Sequence, residues 1–149
     1  MNRKKIVGIS SGGGHLLELV KTIPNSYKDE ITFITFKNGH TKYTLKAKPH
    51  FFVIDPHISK IKYLINFIQS FFLYVMIRPK VIISTGAGIA IPFILIGKFF
   101  KTKIIFIESG ARIFKPSKTA SFIYNYSDLF IIQYETLHSF FPKSKIGSL

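Results

Sequence analysis

The sequence contains no cysteine and little negative charge. The absence of cysteine excludes disulfide bonds and thiolate metal sites, and it fits a reducing compartment. Only 7 of the 149 residues are acidic, against 21 lysines and arginines, so the net charge is +14. A charge of this size indicates an anionic partner (nucleic acid, an anionic membrane or a phosphate-rich substrate), unless the lysines serve only solubility.

Acidic residues are absent from the stretch 56–107, which also contains the most apolar segments of the chain. Its basic residues are Lys60, Lys62, Arg78, Lys80, Lys98, Lys101 and Lys103. Basic residues beside apolar helices suit a lipid surface better than a nucleic acid groove. The sequence also lacks helix-turn-helix and RNA-recognition patterns, so we expect no nucleic acid partner. Its N-terminus lacks the features of a signal peptide, which predicts a cytoplasmic location.

Short β-branched runs alternate with helical patterns along the chain. Strands are predicted at 5–10, 31–36, 51–54, 81–84, 104–107 and 129–133, and helices at 15–23, 61–77, 89–100, 119–126 and 135–140. This alternation predicts a doubly wound, Rossmann-like α/β fold, with a parallel sheet covered on both faces. Without a linker or repeat, residues 1–149 are predicted to form a single domain.

Two loops rich in small residues follow predicted strands, at the sheet edge where such folds bind ligands. The first is Ser11-Gly12-Gly13-Gly14 before His15, and the second is Thr85-Gly86-Ala87-Gly88. Glycines let the backbone approach a ligand closely, and a helix amino terminus attracts anions such as phosphate. A dinucleotide fingerprint is a poor match, because Leu17 stands at the place of its third glycine. His15 is either a proton acceptor or a polar contact at the start of the helix.

Glu108 ends a strongly apolar strand, where a carboxylate needs a partner. It could pair with Arg112 to hold the loop between them, or it could orient His15 or a substrate hydroxyl. The sequence shows no cluster of side chains with metal-ligand spacing, so we expect no metal and no cofactor.

The predicted helix 61–77 has two apolar stripes. The first, predicted to face the core, is Ile61, Leu64, Ile65, Ile68, Phe72 and Val75; the second is Tyr63, Phe67, Phe71 and Tyr74. The second stripe, with Lys60, Lys62 and Arg78 nearby, could face lipid or a partner subunit, unless the helix is simply buried. Polar residues interrupt the segment, which favours an interfacial helix over a membrane span.

Four segments, in this order, resemble the Alg14-like glycosyltransferase subunits, including bacterial polysaccharide proteins of the PssD/CpsF type. They are Ser10 to Glu18 (SSGGGHLLE), Ser84 to Pro92 (STGAGIAIP), Ile105 to Ile113 (IFIESGARI) and Ser127 to Gln133 (SDLFIIQ). Together these motifs extend over almost the whole chain.

The resemblance implies the fold of the N-terminal, acceptor-binding half of a GT-B glycosyltransferase. It further implies a peripheral subunit on the cytoplasmic face of the membrane, inactive without an Alg13-like subunit that binds the UDP-sugar. The acceptor would be a sugar on undecaprenyl diphosphate, in capsule or exopolysaccharide synthesis. The loop 11–15 would bind its diphosphate, with His15 near the reacting hydroxyl. We expect Thr85, Gly86, Ala87 and Gly88 of the second loop to bind the same diphosphate. A non-catalytic scaffold for the partner is the alternative.

Overall fold

The computed structural model describes residues 5–27, 30–46 and 48–147. Its seven strands are β1 (Ile6–Ser10), β2 (Ile31–Thr35), β3 (His50–Phe52), β4 (Val81–Gly86), β5 (Lys103–Ile107), β6 (Leu129–Ile132) and β7 (Lys145–Ile146). They form one parallel sheet in the order β3-β2-β1-β4-β5-β6-β7. Successive strands are added in one direction from β1 to β3 and in the other direction from β4 to β7. Doubly wound sheets bind ligands at this switch point, between β1 and β4. The predicted fold class is confirmed.

Within the described residues, the strands are connected by five helices: α1 (Gly14–Thr22), α2 (Thr41–Leu45), α3 (Lys60–Ile77), α4 (Ile91–Phe99) and α5 (Lys118–Ile123). The sequence pattern missed α2 and β7, because elements of five and two residues are too short to show a period. The predicted helix at 135–140 is wrong, since that segment contains only a 3-10 turn at Glu135–Leu137.

The sheet packs between two groups of helices. On one face, β-strand side chains such as Ile82 and Phe106 pack with α3, α4 and α5 in the larger core. On the other face, α1 and α2 cover Ile31 and Phe33. The predicted cover on this second face is only partial, because α1 and α2 are short and α1 packs over β1 and β4. Five residues of β4, β5 and β6 stay half-buried there: Val81, Ile83, Ile105, Leu129 and Ile131.

α3 packs in the opposite orientation to the one predicted. All six residues of the predicted core stripe are exposed, with relative exposures from 40% to 73%. The buried residues of α3 are instead Asn66, Ser70, Tyr74 and Ile77. We call the six exposed residues the outer apolar face of α3: Ile61, Leu64, Ile65, Ile68, Phe72 and Val75.

Hydrogen bonds to the segment after β3 explain this orientation. The Asn66 amide donates to the carbonyl oxygen of Ile54 at 2.7 Å, and the Gln69 side chain accepts from the Ile54 N–H at 2.8 Å. Ser70 then donates to Asn66 at 3.1 Å. Buried backbone groups need partners, so these polar side chains face inward and direct the apolar ones outward.

The second predicted stripe divides between surface and core. Phe67 and Phe71 are exposed and Tyr63 is half-buried, but Tyr74 is only 6% exposed. The Tyr74 hydroxyl hydrogen-bonds with Thr102, so its prediction as a membrane contact is wrong. By length and composition alone, α3 could cross a membrane. The location of α3 at the membrane interface stays a prediction.

Candidate functional site: a cleft around His15

The loops that follow β1, β4 and β5 meet at the carboxyl edge of the sheet. Two hydrogen bonds join the first two loops. His15 Nδ1 lies 2.9 Å from the carbonyl oxygen of Thr85, and the Thr85 hydroxyl donates to the carbonyl oxygen of His15 at 2.7 Å. The structure therefore brings together the two predicted ligand loops, with His15 between them.

The conformation of the first loop depends on glycine. Gly13 has φ 79° and ψ −136°, a region that other residues rarely adopt. A Cβ on Gly12 would collide with the Asn38 side chain, whereas no described atom lies within 4 Å of a Cβ at Gly13 or Gly14. No described side chain caps α1. The first N–H groups of the helix therefore lie at an open surface, as a phosphate site requires.

The second loop turns at two residues with positive φ. Gly86 has φ 110° and Ala87 has φ 71°. A positive φ is sterically unfavourable for alanine, so the backbone at Ala87 is strained. The turn Gly88–Ala90 then leads directly into α4. A Cβ on Gly88 would contact the Tyr63 hydroxyl, so the amino end of α3 lies beside this loop.

Glu108 and Arg112 are not arranged as predicted. The Glu108 side chain accepts hydrogen bonds from the N–H of Ser109 at 3.0 Å and from the N–H and hydroxyl of Ser117 at 2.8 and 3.1 Å. Arg112 is exposed, and no ion pair joins it to Glu108 among the described residues. Glu108 is 1% exposed. Its contacts favour a structural role at the start of α5 over orientation of His15.

Among the described residues, the carboxylate at ion-pair distance from His15 is that of Glu18, a residue that the sequence pattern did not indicate. It lies one helical turn after His15, with Oε2 3.8 Å from His15 Nδ1. Its other oxygen, Oε1, accepts hydrogen bonds from the Ser109 hydroxyl and the Gly110 N–H, both at 3.1 Å. The spacing of three residues on a helix could have indicated the pair with His15, but nothing local indicates Ser109.

Unpartnered polar atoms gather at this edge. Among the described residues, the buried side-chain atoms without a hydrogen-bond partner are Ser10 Oγ, Glu18 Oε2 and Thr35 Oγ1. Ser10 and Thr35 end the neighbouring strands β1 and β2, and Glu18 follows on α1. Most buried polar groups in proteins are satisfied, so three exceptions at one edge favour a ligand-binding role. The described residues contain no group of three or more side chains that could hold a metal.

Apart from Tyr63, which lies beside the second loop, the predicted membrane contacts lie outside this cleft. Lys60, Lys62 and Arg78 are exposed along α3. Phe67 and Phe71 line a cavity of about 370 Å³ against the end of α4, together with Leu95, Ile96, Phe99 and Phe100. A second cavity, of about 550 Å³, lies at the amino-terminal edge of the sheet and includes Arg78, Lys80 and Lys101. Neither His15 nor the two small-residue loops are among the described residues that line these cavities.

An ion-pair cluster at the amino-terminal edge of the sheet joins α4 to β6. Lys98 and Lys103 each lie 3.6 Å from Asp128, which accepts the Ile104 N–H at 2.9 Å. Burial acts to raise the pKa of Asp128, but this hydrogen bond and the two lysines outweigh it, so the pKa lies below its usual value.

Solved structures with this fold include enzymes of nucleotide-sugar chemistry. The UDP-N-acetylglucosamine 2-epimerase of Rickettsia bellii superposes with a TM-score of 0.76 at 12% identity, over 99% of this chain and 43% of that chain. MurG of Acinetobacter baumannii superposes with a TM-score of 0.70 at 13% identity, over 88% of this chain and 42% of that chain. At these identities the likeness shows the fold alone, a Rossmann-like half of the GT-B architecture.

Sequence comparison identifies the family. The family described as "Oligosaccharide biosynthesis protein Alg14 like" matches residues 53–149, and the chain belongs to it. A curated relative is the UDP-N-acetylglucosamine transferase subunit ALG14 of Candida albicans, 40% identical over 67 residues. That match covers 41% of this chain and 31% of the relative. The chain thus aligns with under half the length of the relatives named here.

Proposed function

We propose that this protein is the acceptor-binding subunit of a two-component glycosyltransferase. The pair transfers a sugar from a UDP-sugar to a lipid-diphosphate-linked glycan, in a bacterial capsule or exopolysaccharide pathway of the PssD/CpsF type. Family membership supports the transferase class, because the Candida albicans relative is named as a transferase subunit. The observation that carries the acceptor role is the hydrogen-bonded cleft between the two small-residue loops at His15.

In this proposal the first loop binds the acceptor diphosphate and His15 contacts the reacting hydroxyl. The open glycines and uncapped start of α1 suit an anion. The Thr85 carbonyl can only accept, so Nδ1 of a neutral His15 carries the hydrogen and Nε2 is left as a proton acceptor. The second loop, 85–88, contributes backbone groups to the other wall of the cleft.

The outer apolar face of α3 is the proposed membrane contact. Six exposed apolar side chains on one face of a helix are typical of an interaction site. The basic residues Lys60, Lys62 and Arg78 beside them favour an anionic bilayer. The amino end of α3 reaches the second loop through Tyr63 and Gly88. A lipid-linked acceptor in the membrane would therefore have its diphosphate close to the cleft. We place this surface on the cytoplasmic side, as a peripheral contact.

The proposed partner is an Alg13-like subunit that binds the UDP-sugar. The Candida albicans relative is named as a subunit, which supports the existence of a second chain. The competing function is a scaffold that anchors the catalytic partner without taking part in the reaction.

Transfer of radiolabelled sugar by the reconstituted pair tests the proposal. With UDP-N-acetylglucosamine and a lipid-diphosphate sugar, the pair should be active and this chain alone inactive. His15→Ala should lower turnover roughly 10²- to 10⁴-fold, the usual effect of removing a general base. His138→Ala is the matched control, since His138 is exposed and outside the cleft. Near-normal turnover of His15→Ala, with the complex intact, would favour the scaffold.

A further inference from the structure

Glu18 connects α1 to the loop after β5. Its Oε1 atom accepts from the Ser109 hydroxyl and from the Gly110 N–H, residues more than ninety positions away in the sequence. Gly110 lies against the Gln133 side chain, which donates to the Glu108 carbonyl. The two hydrogen bonds to Oε1 therefore fix the orientation of the Glu18 carboxylate relative to α1.

The second carboxylate oxygen of Glu18 has a different environment. Oε2 is buried, has no hydrogen-bond partner among the described residues, and lies 3.8 Å from His15 Nδ1. An unsatisfied buried acceptor costs free energy, and more so when it is charged. Such a cost is typical of functional sites, where a group is arranged for a charge that develops during the reaction.

A positive charge would develop at His15 during the proposed reaction. The acceptor O–H bond breaks, its oxygen bonds to the anomeric carbon of the donor sugar, and the nucleoside diphosphate leaves. The proton moves to Nε2 of His15. Because Nδ1 keeps its hydrogen bond to Thr85, the ring then carries a full positive charge beside Glu18 Oε2.

We propose that Glu18 is a positioning residue that acts through His15, stabilising the charged ring with Oε2 while Oε1 holds the Ser109–Gly110 turn. This inference rests on the proposed function. It assigns to Glu18 the orienting role that the sequence suggested for Glu108, whose oxygens contact Ser109 and Ser117 instead.

The test compares four forms of the assembled transferase: wild type, Glu18→Gln, His15→Ala and the double variant. A glutamine can still accept from Ser109 and Gly110 but carries no charge. We expect Glu18→Gln to lower kcat roughly 10- to 100-fold, which is less than the effect of removing the base itself. KM should change by less than about twofold. On the His15→Ala background the same change should have almost no further effect. Glu135→Gln, at an exposed position, is the control.

Each alternative gives a distinct result. A normal kcat in Glu18→Gln would overturn the role of Glu18, and a raised KM alone would make Glu18 a substrate contact. An equal loss in both backgrounds would show that Glu18 acts independently of His15, and loss of folding in thermal melts would make it structural. Failure of the proposed function is recognised separately, because His15→Ala would then retain turnover.

Discussion

The helices α3 and α4 are both apolar in sequence and pack against each other, yet they are buried in opposite ways. α4 buries five of its nine residues, which are Pro92, Phe93, Ile94, Ile96 and Gly97. In α3 the inward residues include Asn66 and Ser70, and the outer face is apolar. α4 is held by apolar packing, whereas α3 is held largely by hydrogen bonds to Ile54 and by Tyr74 and Ile77.

This difference shows that the apolar content of a helix does not determine which side it buries. α4 packs against β5 and against α3. α3 follows a segment whose backbone groups at Ile54 have their partners on α3. Polar side chains on α3 are therefore part of the interior, and its outer apolar face is exposed.

The largest effect should come from charging the outer apolar face of α3. Ile68→Glu with Phe72→Glu should abolish binding to anionic vesicles, since each side chain contributes about 1.5–3 kcal/mol when buried. Circular dichroism should show an unchanged fold, because both side chains are exposed. Vesicle flotation measures the binding.

The control for that variant carries the same charge change on other surfaces. Tyr43→Glu with Phe140→Glu replaces two exposed aromatic residues and should leave flotation unchanged. Flotation of the α3 variant at the wild-type level would contradict the membrane assignment. If the α3 variant still bound lipid but no longer bound the partner subunit, this face would be a subunit interface.

A pair of identical substitutions tests the contrast between the helices directly. Phe93→Ala in α4 should lower the free energy of unfolding by about 3–5 kcal/mol, because Phe93 is 0% exposed. Phe72→Ala in α3 should change it by less than about 0.5 kcal/mol, because Phe72 is 68% exposed. Urea denaturation measures both values, and similar losses would show that α3 is buried on its outer face.

A smaller effect is expected from the inward polar residues of α3. Asn66→Ala should cost about 1–3 kcal/mol of unfolding free energy, because it leaves the Ile54 carbonyl and the Ser70 hydroxyl without their partner. Asn125→Ala, at an exposed position, should cost less than about 0.5 kcal/mol. If Asn66→Ala were as stable as wild type, hydrogen bonding would not explain the orientation of α3.

The strands and the two small-residue loops could be predicted because their signals are local. Strands such as β4 and β5 are continuous apolar runs, and the glycines before His15 directly indicate a tight backbone turn. The predicted meeting of loops 11–15 and 85–88 follows from the parallel topology, which places the carboxyl ends of β1 and β4 side by side. The predicted pairing of Glu108 with Arg112 was wrong, because proximity in the sequence does not determine which groups a buried carboxylate contacts.

By itself the sequence determined the α/β alternation, the glycine-dependent turn before His15 and the excess of basic charge, since each follows from local residue preferences. Only the tertiary structure decided which face of α3 is outward and which carboxylate lies beside His15. Both depend on contacts between residues far apart in the chain, at Ile54 for α3 and at Ser109 for Glu18. A helical period specifies that two faces differ, but the hydrogen-bonding needs of the neighbouring segment determine which face turns inward.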